Sequence, residues 1–337
     1  MTKTIKMKET LNRLINHEIL EKEDAKQILV NIAKGEYNTS QIAAFLTVYM
    51  MRSITIEELE GFRDALLELC LAIDLKDYNP IDLCGTGGDG KDTFNISTLA
   101  SFVTAGAGIK VTKHGNYGVS SKCGSSNVME FLGIKFSNES DFLKKSIEEA
   151  GICVLHAPLF HPAMKNVAPI RRELAVKTFF NMLGPMVNPA FPKNQMVGVF
   201  NLELARMYGY LYQNTDKNFT VLHALDGYDE ISLTGATKTI SNGSEGILSP
   251  ADFGVSTVKA SAIVGGEDIA DSAKIFLDIL QGNGTDAQNN VVCANAGVAI
   301  STAKGVDVKV GFEQAKESLS SGKGLAALKK LQVLSAT

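Results

Sequence analysis

Paired cysteines are missing from this sequence. The five cysteines are an odd number and lack the C-x-x-C spacing of zinc sites and redox motifs. We therefore expect neither a disulfide framework nor a structural zinc site, and unpaired cysteines indicate a reducing compartment. The positions are Cys70, Cys84, Cys123, Cys153 and Cys293.

Long apolar runs are missing as well. No uninterrupted apolar stretch approaches the roughly 18 residues needed to span a bilayer. The lysines near the N-terminus are not followed by the apolar segment of a secretory leader. We expect a cytoplasmic protein that has no membrane partner.

Positive charge is not in excess either. The formal net charge is −4 and the sequence pI is about 5.8, so a surface that coats nucleic acid has no electrostatic support. A local basic pocket for one phosphorylated ligand remains compatible with these values. The 337 residues include 30 glycines and are 45% hydrophobic, which indicates a loop-rich α/β enzyme with room for two domains.

Residues 8–70 have the pattern of a helical domain. Apolar side chains such as Leu11, Leu14 and Ile15 recur at helical spacing. Thr55 and Glu58 have the spacing of a capping box, which predicts a helix that runs to about Cys70. We predict a helical domain over residues 1–73. A helical pattern over 162–177, ending near 183–185, predicts that residues 163–190 return to it.

After Pro80 the pattern changes to short apolar strands followed by glycine-rich turns and helices. This alternation predicts a sheet covered by helices, in an α/β domain over residues 74–162 and 191–337. The predicted strands are residues 81–83, 110–112, 153–155 and 219–225. C-terminal helices are predicted after Gly266, after a Thr285–Gln288 capping box, and over residues 324–334.

The most informative segment, residues 82–98, is a glycine-rich turn that follows a predicted strand. It reads D-L-C-G-T-G-G-D-G and continues to N-I-S-T at the start of an apolar helix. Glycines let backbone N–H groups converge on an anion, and the helix N-terminus adds partial positive charge. We interpret this segment, the phosphate cradle, as a site for a pyrophosphate group. A tight turn before a capped helix is the structural alternative, since the spacing matches neither Walker A nor GxGxxG.

A second cluster of cationic and hydroxyl side chains follows the next predicted strand. Its residues are Lys113, His114, Gly115, Asn116, Ser120, Ser121, Lys122 and Ser125. Lysines neutralise phosphate charge and serine hydroxyls donate to phosphate oxygens, so the cluster predicts further phosphate contacts. A solvated basic loop is the alternative. His114 is a possible general base, or equally a structural histidine.

Two further clusters carry charge. Asp229 and Glu230 are adjacent carboxylates in a turn after a predicted strand, and such hard oxygen ligands suit Mg²⁺. A solvated acidic turn is the alternative. The segment from His156 to Glu173 contains Arg171 and Arg172 near the join of the two predicted domains. One guanidinium could present its planar fork to a carboxylate, or both could form structural salt bridges.

In this order the motifs resemble those of the anthranilate phosphoribosyltransferase family. The chain has GTGGD, NIST, KHGN, the serines, HPAMKNVAPIRREL, FNMLGPMVNPA and DE, and the match covers nearly its whole length. Ordered motifs are far more specific than any one of them. The resemblance implies α/β architecture: a small helical N-terminal domain hinged to a larger α/β domain with a central mixed sheet flanked by helices. It also implies a homodimer formed through the helical domains.

The same resemblance implies transfer of a 5-phosphoribosyl group from phosphoribosyl pyrophosphate to anthranilate in tryptophan biosynthesis, with Mg²⁺ as cofactor. Anthranilate is assigned to Asn116 and Arg171, and Mg²⁺ to Ser97, Asp229 and Glu230. The remaining predicted substrate contacts are Gly85, Gly88, Asp89, Thr93, Asn95, Ile96, Ser97, Thr98, Lys113, His114, Gly115, Ser120, Ser121 and Ser125.

One position departs from the family pattern. The family usually has an arginine after KHGN, whereas this chain has Tyr117, followed by Gly118. A fixed cation is therefore missing from the loop, and Tyr117 either stacks or is structural.

The predicted chemistry is displacement of pyrophosphate by the aromatic amine. Because that amine is already neutral, we assign no catalytic acid or base and expect electrostatics and positioning to dominate. Two alternatives stay open: a pyrimidine nucleoside phosphorylase, and a non-catalytic nucleic-acid-binding relative.

Overall fold

The fold is that of a computed structural model, which describes residues 5–118 and 122–336. The chain divides into two compact units. Residues up to Ala72 together with Pro158–Pro189 form a helical unit, and Ile73–Ala157 together with residues from Ala190 onward form an α/β unit. The divisions of the structure thus follow residues 72, 157 and 189, whereas the predicted ones follow 73, 162 and 190.

The helical unit is built from amphipathic helices. Its helices are α1 (Met7–Ile15), α2 (Lys22–Ala33), α3 (Thr39–Met51), α4 (Ile56–Leu69), α8 (Ala157–Phe160), α9 (Ala168–Leu174) and α10 (Phe180–Leu183). Short 3-10 turns lie at Pro162–Asn166 and Gly184–Val187. The predicted capping box of α4 is confirmed, because Thr55 Oγ1 accepts from the Glu58 N–H at 3.2 Å and Glu58 Oε2 accepts from the Thr55 N–H at 2.9 Å.

The helical stretch predicted over residues 162–177 is present but broken. Pro169 lies in the first turn of α9, so a new helix begins after the 3-10 turn rather than continuing from it. Ala175 then takes a left-handed conformation, with φ of 53°, and ends α9. The prediction failed here because the apolar spacing continues across both interruptions.

The α/β unit contains a seven-stranded mixed sheet in the order β3-β2-β1-β4-β5-β6-β7. The strands are β1 (Ile81–Gly85), β2 (Val111–Gly115), β3 (Ile152–His156), β4 (Asn194–Gly198), β5 (Asn218–Ala224), β6 (Thr237–Ser241) and β7 (Ser244–Leu248). The first five are parallel, and β6 and β7 are antiparallel. The predicted fold, a helical domain plus an α/β domain with a mixed sheet, is confirmed.

Buried polar residues make two strands of this sheet hard to recognise from the sequence. The strand predicted at residues 110–112 extends through Lys113 and His114, which are both buried. Strand β4 was missed because it begins with Asn194 and Gln195, yet both are buried. The Asn194 amide donates to Pro80 O at 3.3 Å, so its burial leaves the group hydrogen-bonded.

Helices cover the sheet. They are α5 (Ile96–Gly106), α6 (Ser125–Phe131), α7 (Ser140–Glu149), α11 (Leu202–Gln213), α12 (Ile269–Leu280), α13 (Asp286–Lys304), α14 (Val308–Ser320) and α15 (Lys323–Ala336). The three predicted C-terminal helices correspond to α12, α13 and α15, and the Thr285–Gln288 capping box is present. Among the described residues no single helix has the length and apolar composition to cross a membrane, and α13 with α14 passes only as a pair bent by 119°.

Candidate active site

The phosphate cradle leaves the carboxyl end of β1 and enters α5. Gly87, Gly88 and Gly90 all have left-handed backbone, with φ of 64°, 78° and 74°. Side chains with a Cβ are strained in this region, so the turn depends on glycine at these positions. Because the carboxyl ends of parallel strands form the usual ligand edge of an α/β sheet, the cradle lies where a site is expected.

The predicted acidic pair lies inside this cradle. Asp229 Oδ2 accepts a hydrogen bond from the Gly87 N–H at 2.7 Å. Glu230 Oε1 accepts from the Ser97 N–H at 3.1 Å, and its Oε2 accepts from Thr93 Oγ1 at 3.2 Å. Two clusters that are separated by more than a hundred positions in the sequence therefore form one site.

Two glycines on neighbouring strands make room for Asp229. Gly85 of β1 is in register with Gly198 of β4. A Cβ on Gly85 would lie 2.4 Å from Asp229 Oδ2, and a Cβ on Gly198 would lie 1.5 Å from the Asp229 carbonyl oxygen. Gly198 was missed by the sequence analysis, although a glycine inside the apolar run M-V-G-V-F was a usable signal.

A buried asparagine holds the backbone that follows the acidic pair. The side chain of Asn295, on α13, accepts from the Ile231 N–H at 3.1 Å and donates to Ile231 O at 2.9 Å. Asn295 is 1% exposed. A polar residue within the apolar run of α13 was the sequence signal for this contact, and the sequence analysis did not use it.

The electrostatics of the pair are unfavourable without a cation. Burial, followed by the charges of Glu230 and Asp89, raises the pKa of Asp229 well above its ordinary value. Burial, followed by the charge of Asp89, raises the pKa of Glu230 to about 7. In residues 5–118 and 122–336, no lysine or arginine forms a salt bridge with Asp229 or Glu230. Acidic groups in this state favour a bound cation.

The Asp89 side chain accepts hydrogen bonds from the backbone of the glycine-rich turn and of the acidic pair. Its Oδ1 accepts from the Lys91 N–H at 3.0 Å, and its Oδ2 accepts from the Asp229 N–H at 3.3 Å. Asp89 therefore links the glycine turn to the acidic pair. It also adds a third negative charge to the group.

Lys113 lies beneath the cradle rather than on its rim. Its side chain is only 2% exposed, and the ammonium donates to the Leu83 carbonyl. Its positive charge lowers the pKa of Glu230, against the larger effects that raise it. Lys113 thus stabilises the charged form of Glu230 from a position within the sheet.

The residues after Lys113 are tightly packed. The His114 side chain is buried, and the backbone N–H of His114 donates to Asp82 Oδ1 at 3.2 Å. A Cβ on Gly115 would lie 2.4 Å from Ser125 Oγ, which itself donates to Asn116 O at 3.3 Å. Lys122 is paired with Glu267 at 2.7 Å. The predicted contacts Ser120 and Ser121 lie outside the described residues.

Several predicted substrate contacts at the start of α5 face inward. Ile96 and Thr98 are almost fully buried, and the Ile96 N–H donates to Phe94 O at 2.6 Å. The Asn95 amide donates to Cys123 O at 2.9 Å. Of this turn, Ser97 keeps a partly exposed side chain, as a metal ligand requires.

In the helical unit, Arg171 is a largely buried cation. Its guanidinium lies 5.2 Å from the centre of the Phe180 ring, and Nη2 donates to Asn181 Oδ1 at 3.2 Å. Burial lowers the pKa of Arg171. Within the described part of the chain, no carboxylate forms a salt bridge with it, and its Nε is buried without a hydrogen-bond partner. Arg172, by contrast, is exposed.

The two histidines near Arg171 in sequence are buried. Burial lowers the pKa of both side chains, that of His161 to about 4. His161 is therefore neutral near pH 7. Its pKa lies well below the value near 7 that an acid–base catalyst needs.

Comparison with known proteins identifies the family. The glycosyl transferase family pattern for the a/b domain matches residues 77–325, and the pattern for the helical bundle domain of this family matches residues 8–70. An anthranilate phosphoribosyltransferase of Flavobacterium psychrophilum is 75% identical over 329 residues, which are 98% of this chain and 100% of that protein. The chain belongs to the anthranilate phosphoribosyltransferase family.

Solved structures of anthranilate phosphoribosyltransferases have the same fold. The one from Thermus thermophilus has a TM-score of 0.90 at 31% identity, covering 97% of this chain and 99% of that one. The one from Saccharomyces cerevisiae, in complex with phosphoribosyl pyrophosphate and Mg, has a TM-score of 0.89 at 26% identity, covering 98% of each chain. The predicted family and glycosyltransferase class are confirmed, and neither alternative function gains support.

Proposed function

We propose that this chain transfers the 5-phosphoribosyl group of phosphoribosyl pyrophosphate to the amine of anthranilate, giving N-(5-phosphoribosyl)anthranilate and pyrophosphate. One observation carries the proposal. Asp229 lies buried and Glu230 largely buried inside a glycine-rich cradle, and their carboxylates accept hydrogen bonds from Gly87, Thr93 and Ser97. A site with this composition suits a phosphorylated substrate bound together with a divalent cation.

Mg²⁺ fits the donor atoms of this site. The oxygens of Asp229, Glu230 and Ser97 are hard ligands, and Mg²⁺ binds typically through one or two carboxylates plus substrate phosphates and water. In the described residues no group of three His, Cys, Asp or Glu side chains could hold a metal by itself. When bound, Mg²⁺ supplies positive charge that neutralises the pyrophosphate leaving group.

The chain itself contributes a preformed electrostatic environment. The N-terminus of α5 directs backbone N–H groups into the cradle, and Lys113 adds a buried positive charge below it. These groups are held by hydrogen bonds before substrate arrives, so little reorganisation accompanies the growth of negative charge on the leaving group. We propose the backbone of Gly85, Gly88 and Asp89 as further contacts, with Ser120, Ser121 and Ser125 as sequence-based candidates.

The acceptor is positioned by side chains rather than activated by a base. We propose that Arg171 binds the carboxylate of anthranilate, because its Nε is buried without a hydrogen-bond partner and no carboxylate of the described residues forms a salt bridge with the guanidinium. Asn116 is the second proposed contact. The aromatic amine is neutral at physiological pH, so no residue need remove a proton before attack, and we assign no such role to His114.

The decisive experiment is an assay of the purified chain with phosphoribosyl pyrophosphate, MgCl₂ and anthranilate. We expect anthranilate fluorescence to fall with time and the loss to stop when EDTA is added. A parallel reaction with thymidine and inorganic phosphate should release no thymine. Thymine release without anthranilate consumption would replace this proposal with the phosphorylase alternative.

We also propose a cytoplasmic homodimer that forms through the helical unit. Four exposed apolar side chains on α1 and α3 and in the turn after α1 support this assignment: Ile15, Ile19, Met50 and Met51. Light scattering after size exclusion should give twice the chain mass. Met51→Glu should shift the protein to monomer if this surface is the interface.

A further inference from the structure

Tyr117, in the loop after β2, makes two side-chain contacts. Its hydroxyl lies 3.2 and 3.3 Å from the two carboxylate oxygens of Glu130, on α6. Its ring meets the ring of His156 edge-on, with the centres 4.8 Å apart and the planes at 74°. The side chain therefore joins the loop after β2 to both α6 and the end of β3.

His156 is itself held in place. Its Nδ1 lies 2.9 Å from Ser126 Oγ, and its ring stacks on Phe136 with centres 4.5 Å apart and planes at 18°. Strands β2 and β3 pair Gly115 with His156, so Tyr117 follows two residues beyond that pair. The surface on which Tyr117 packs is thus fixed by the sheet and by α6.

The backbone around Tyr117 is tied to the same helix. Its N–H donates to Asn116 Oδ1 at 2.8 Å, and the Gly118 N–H donates to Asn127 Oδ1 at 2.9 Å. A Cβ on Gly124 would lie 2.1 Å from the Gly118 nitrogen, so the start of α6 and this loop are in close contact. A shift of Tyr117 would therefore displace Asn116 as well.

We propose that Tyr117 is a positioning residue, which fixes Asn116 for acceptor binding by anchoring the loop to Glu130 and His156. The inference rests on the proposed role of Asn116 in holding anthranilate. The neutral phenol donates to Glu130, while its ring packs against His156. The loop is therefore held by a hydrogen bond and an aromatic contact and needs no ion pair.

The two contacts of Tyr117 predict that the KM for anthranilate rises in steps as they are removed. Tyr117→Phe removes the bond to Glu130 but keeps the ring, and should raise the KM for anthranilate about threefold. Tyr117→Ala removes both contacts and should raise it about tenfold. The KM for phosphoribosyl pyrophosphate should change less than twofold, a split that a general loss of structure would not produce. The matched control is Tyr210→Phe, at an exposed tyrosine of α11.

Asn116→Ala separates this proposal from the function on which it rests. If Asn116→Ala leaves the KM for anthranilate unchanged, the acceptor role of Asn116 is wrong and the role of Tyr117 falls with it. If Asn116→Ala raises that KM but Tyr117→Ala does not, only the positioning role is overturned. If both substitutions raise that KM, the double variant should have the same KM for anthranilate as Asn116→Ala, because Tyr117 acts through Asn116. Additive increases in KM would contradict the proposal.

The bond to Glu130 can be tested in the same way. Glu130→Ala should raise the KM for anthranilate about as much as Tyr117→Phe does, and combining the two should add little. Independent, additive effects would show that the hydroxyl and the carboxylate do not act together. That result would overturn the Glu130 part of the anchor.

Discussion

The phosphate cradle and the surroundings of Arg171 are incomplete in opposite ways. The cradle encloses the carboxylates of Asp229, which is buried, and Glu230, which is largely buried, and burial and neighbouring negative charge raise the pKa values of both. Arg171 is a largely buried cation whose pKa is lowered by burial. Each region therefore has a charge that a ligand of the other sign would stabilise, a metal ion with pyrophosphate in one and a carboxylate in the other.

The two regions also differ in how they are built. The cradle uses backbone groups, left-handed glycines and one inserted loop, and its members hydrogen-bond to one another. The Arg171 region is a single side chain held over Phe180 and bonded to Asn181, near a stack of Phe62, Phe179 and Phe180. Changes in the cradle should therefore affect many contacts, whereas changes at Arg171 should affect one.

The largest loss is expected from Glu230→Gln. Glutamine keeps an acceptor for the Ser97 N–H and a group that can bond to Thr93, but it removes the charge that would hold Mg²⁺. We expect kcat to fall 100- to 1000-fold, on the order of the effect of one electrostatic stabiliser. In EDTA the free energy of unfolding at neutral pH should rise by about 1 kcal/mol, because the charge that burial and Asp89 disfavour at this position is gone.

Steady-state kinetics and urea denaturation check this pair of effects. Glu245→Gln is the matched control, since Glu245 pairs with Lys238 at the exposed sheet edge. Glu245→Gln should leave both kcat and the free energy of unfolding nearly unchanged. A stability loss in Glu230→Gln would contradict the electrostatic description of the cradle.

Gly198→Ala should act on the same region through sterics. The new Cβ would overlap the Asp229 carbonyl oxygen, so the loop must move. We expect kcat to fall about 100-fold and the free energy of unfolding to fall by about 2 to 3 kcal/mol. Gly246→Ala, whose nearest neighbour lies at 3.4 Å, is the control in the same sheet. If Gly198→Ala and Gly246→Ala were equally active, the close packing of Gly198 against the Asp229 carbonyl oxygen would be refuted.

Arg171→Ala tests the second region, the proposed contact between Arg171 and the carboxylate of anthranilate. We expect the KM for anthranilate to rise roughly 30-fold, the size of one charged hydrogen-bonded contact, with little change in the KM for phosphoribosyl pyrophosphate. Arg172→Ala, at the exposed neighbour, should stay within about twofold of the parent. An unchanged KM in Arg171→Ala would remove the proposed carboxylate contact.

The cradle could be predicted from the sequence because its chemistry is local. Gly87, Gly88 and Gly90 follow a strand and precede a helix, and their left-handed backbone is what such glycines predict. That Glu230 lies at Ser97 could not be predicted from the residues alone, because the contact depends on which strands are neighbours. Gly198 was missed for the same reason, since its requirement comes from the carbonyl of Asp229.

Side-chain direction limited the other predictions. Ile96 and Thr98 belong to a motif that indicates phosphate binding, yet helix geometry turns both side chains into the core. Lys113 follows an apolar strand and was expected on a loop, but the strand continues through it and buries its ammonium against Leu83. Such directions follow from element boundaries, which are the least certain part of a sequence-based prediction.

The smallest effect is expected at Lys91, on the rim of the cradle. Its ammonium lies 4.6 Å from the centre of the Tyr228 ring, and its side chain is exposed. If the cradle acts mainly through buried groups, Lys91→Met should raise the KM for phosphoribosyl pyrophosphate only two- to threefold, as exposed charges contribute little and are screened by salt. The difference between Lys91→Met and the parent should vanish in 0.5 M KCl. A tenfold effect that persists in salt would mean that a rim side chain, and not the interior of the cradle, carries much of the phosphate affinity.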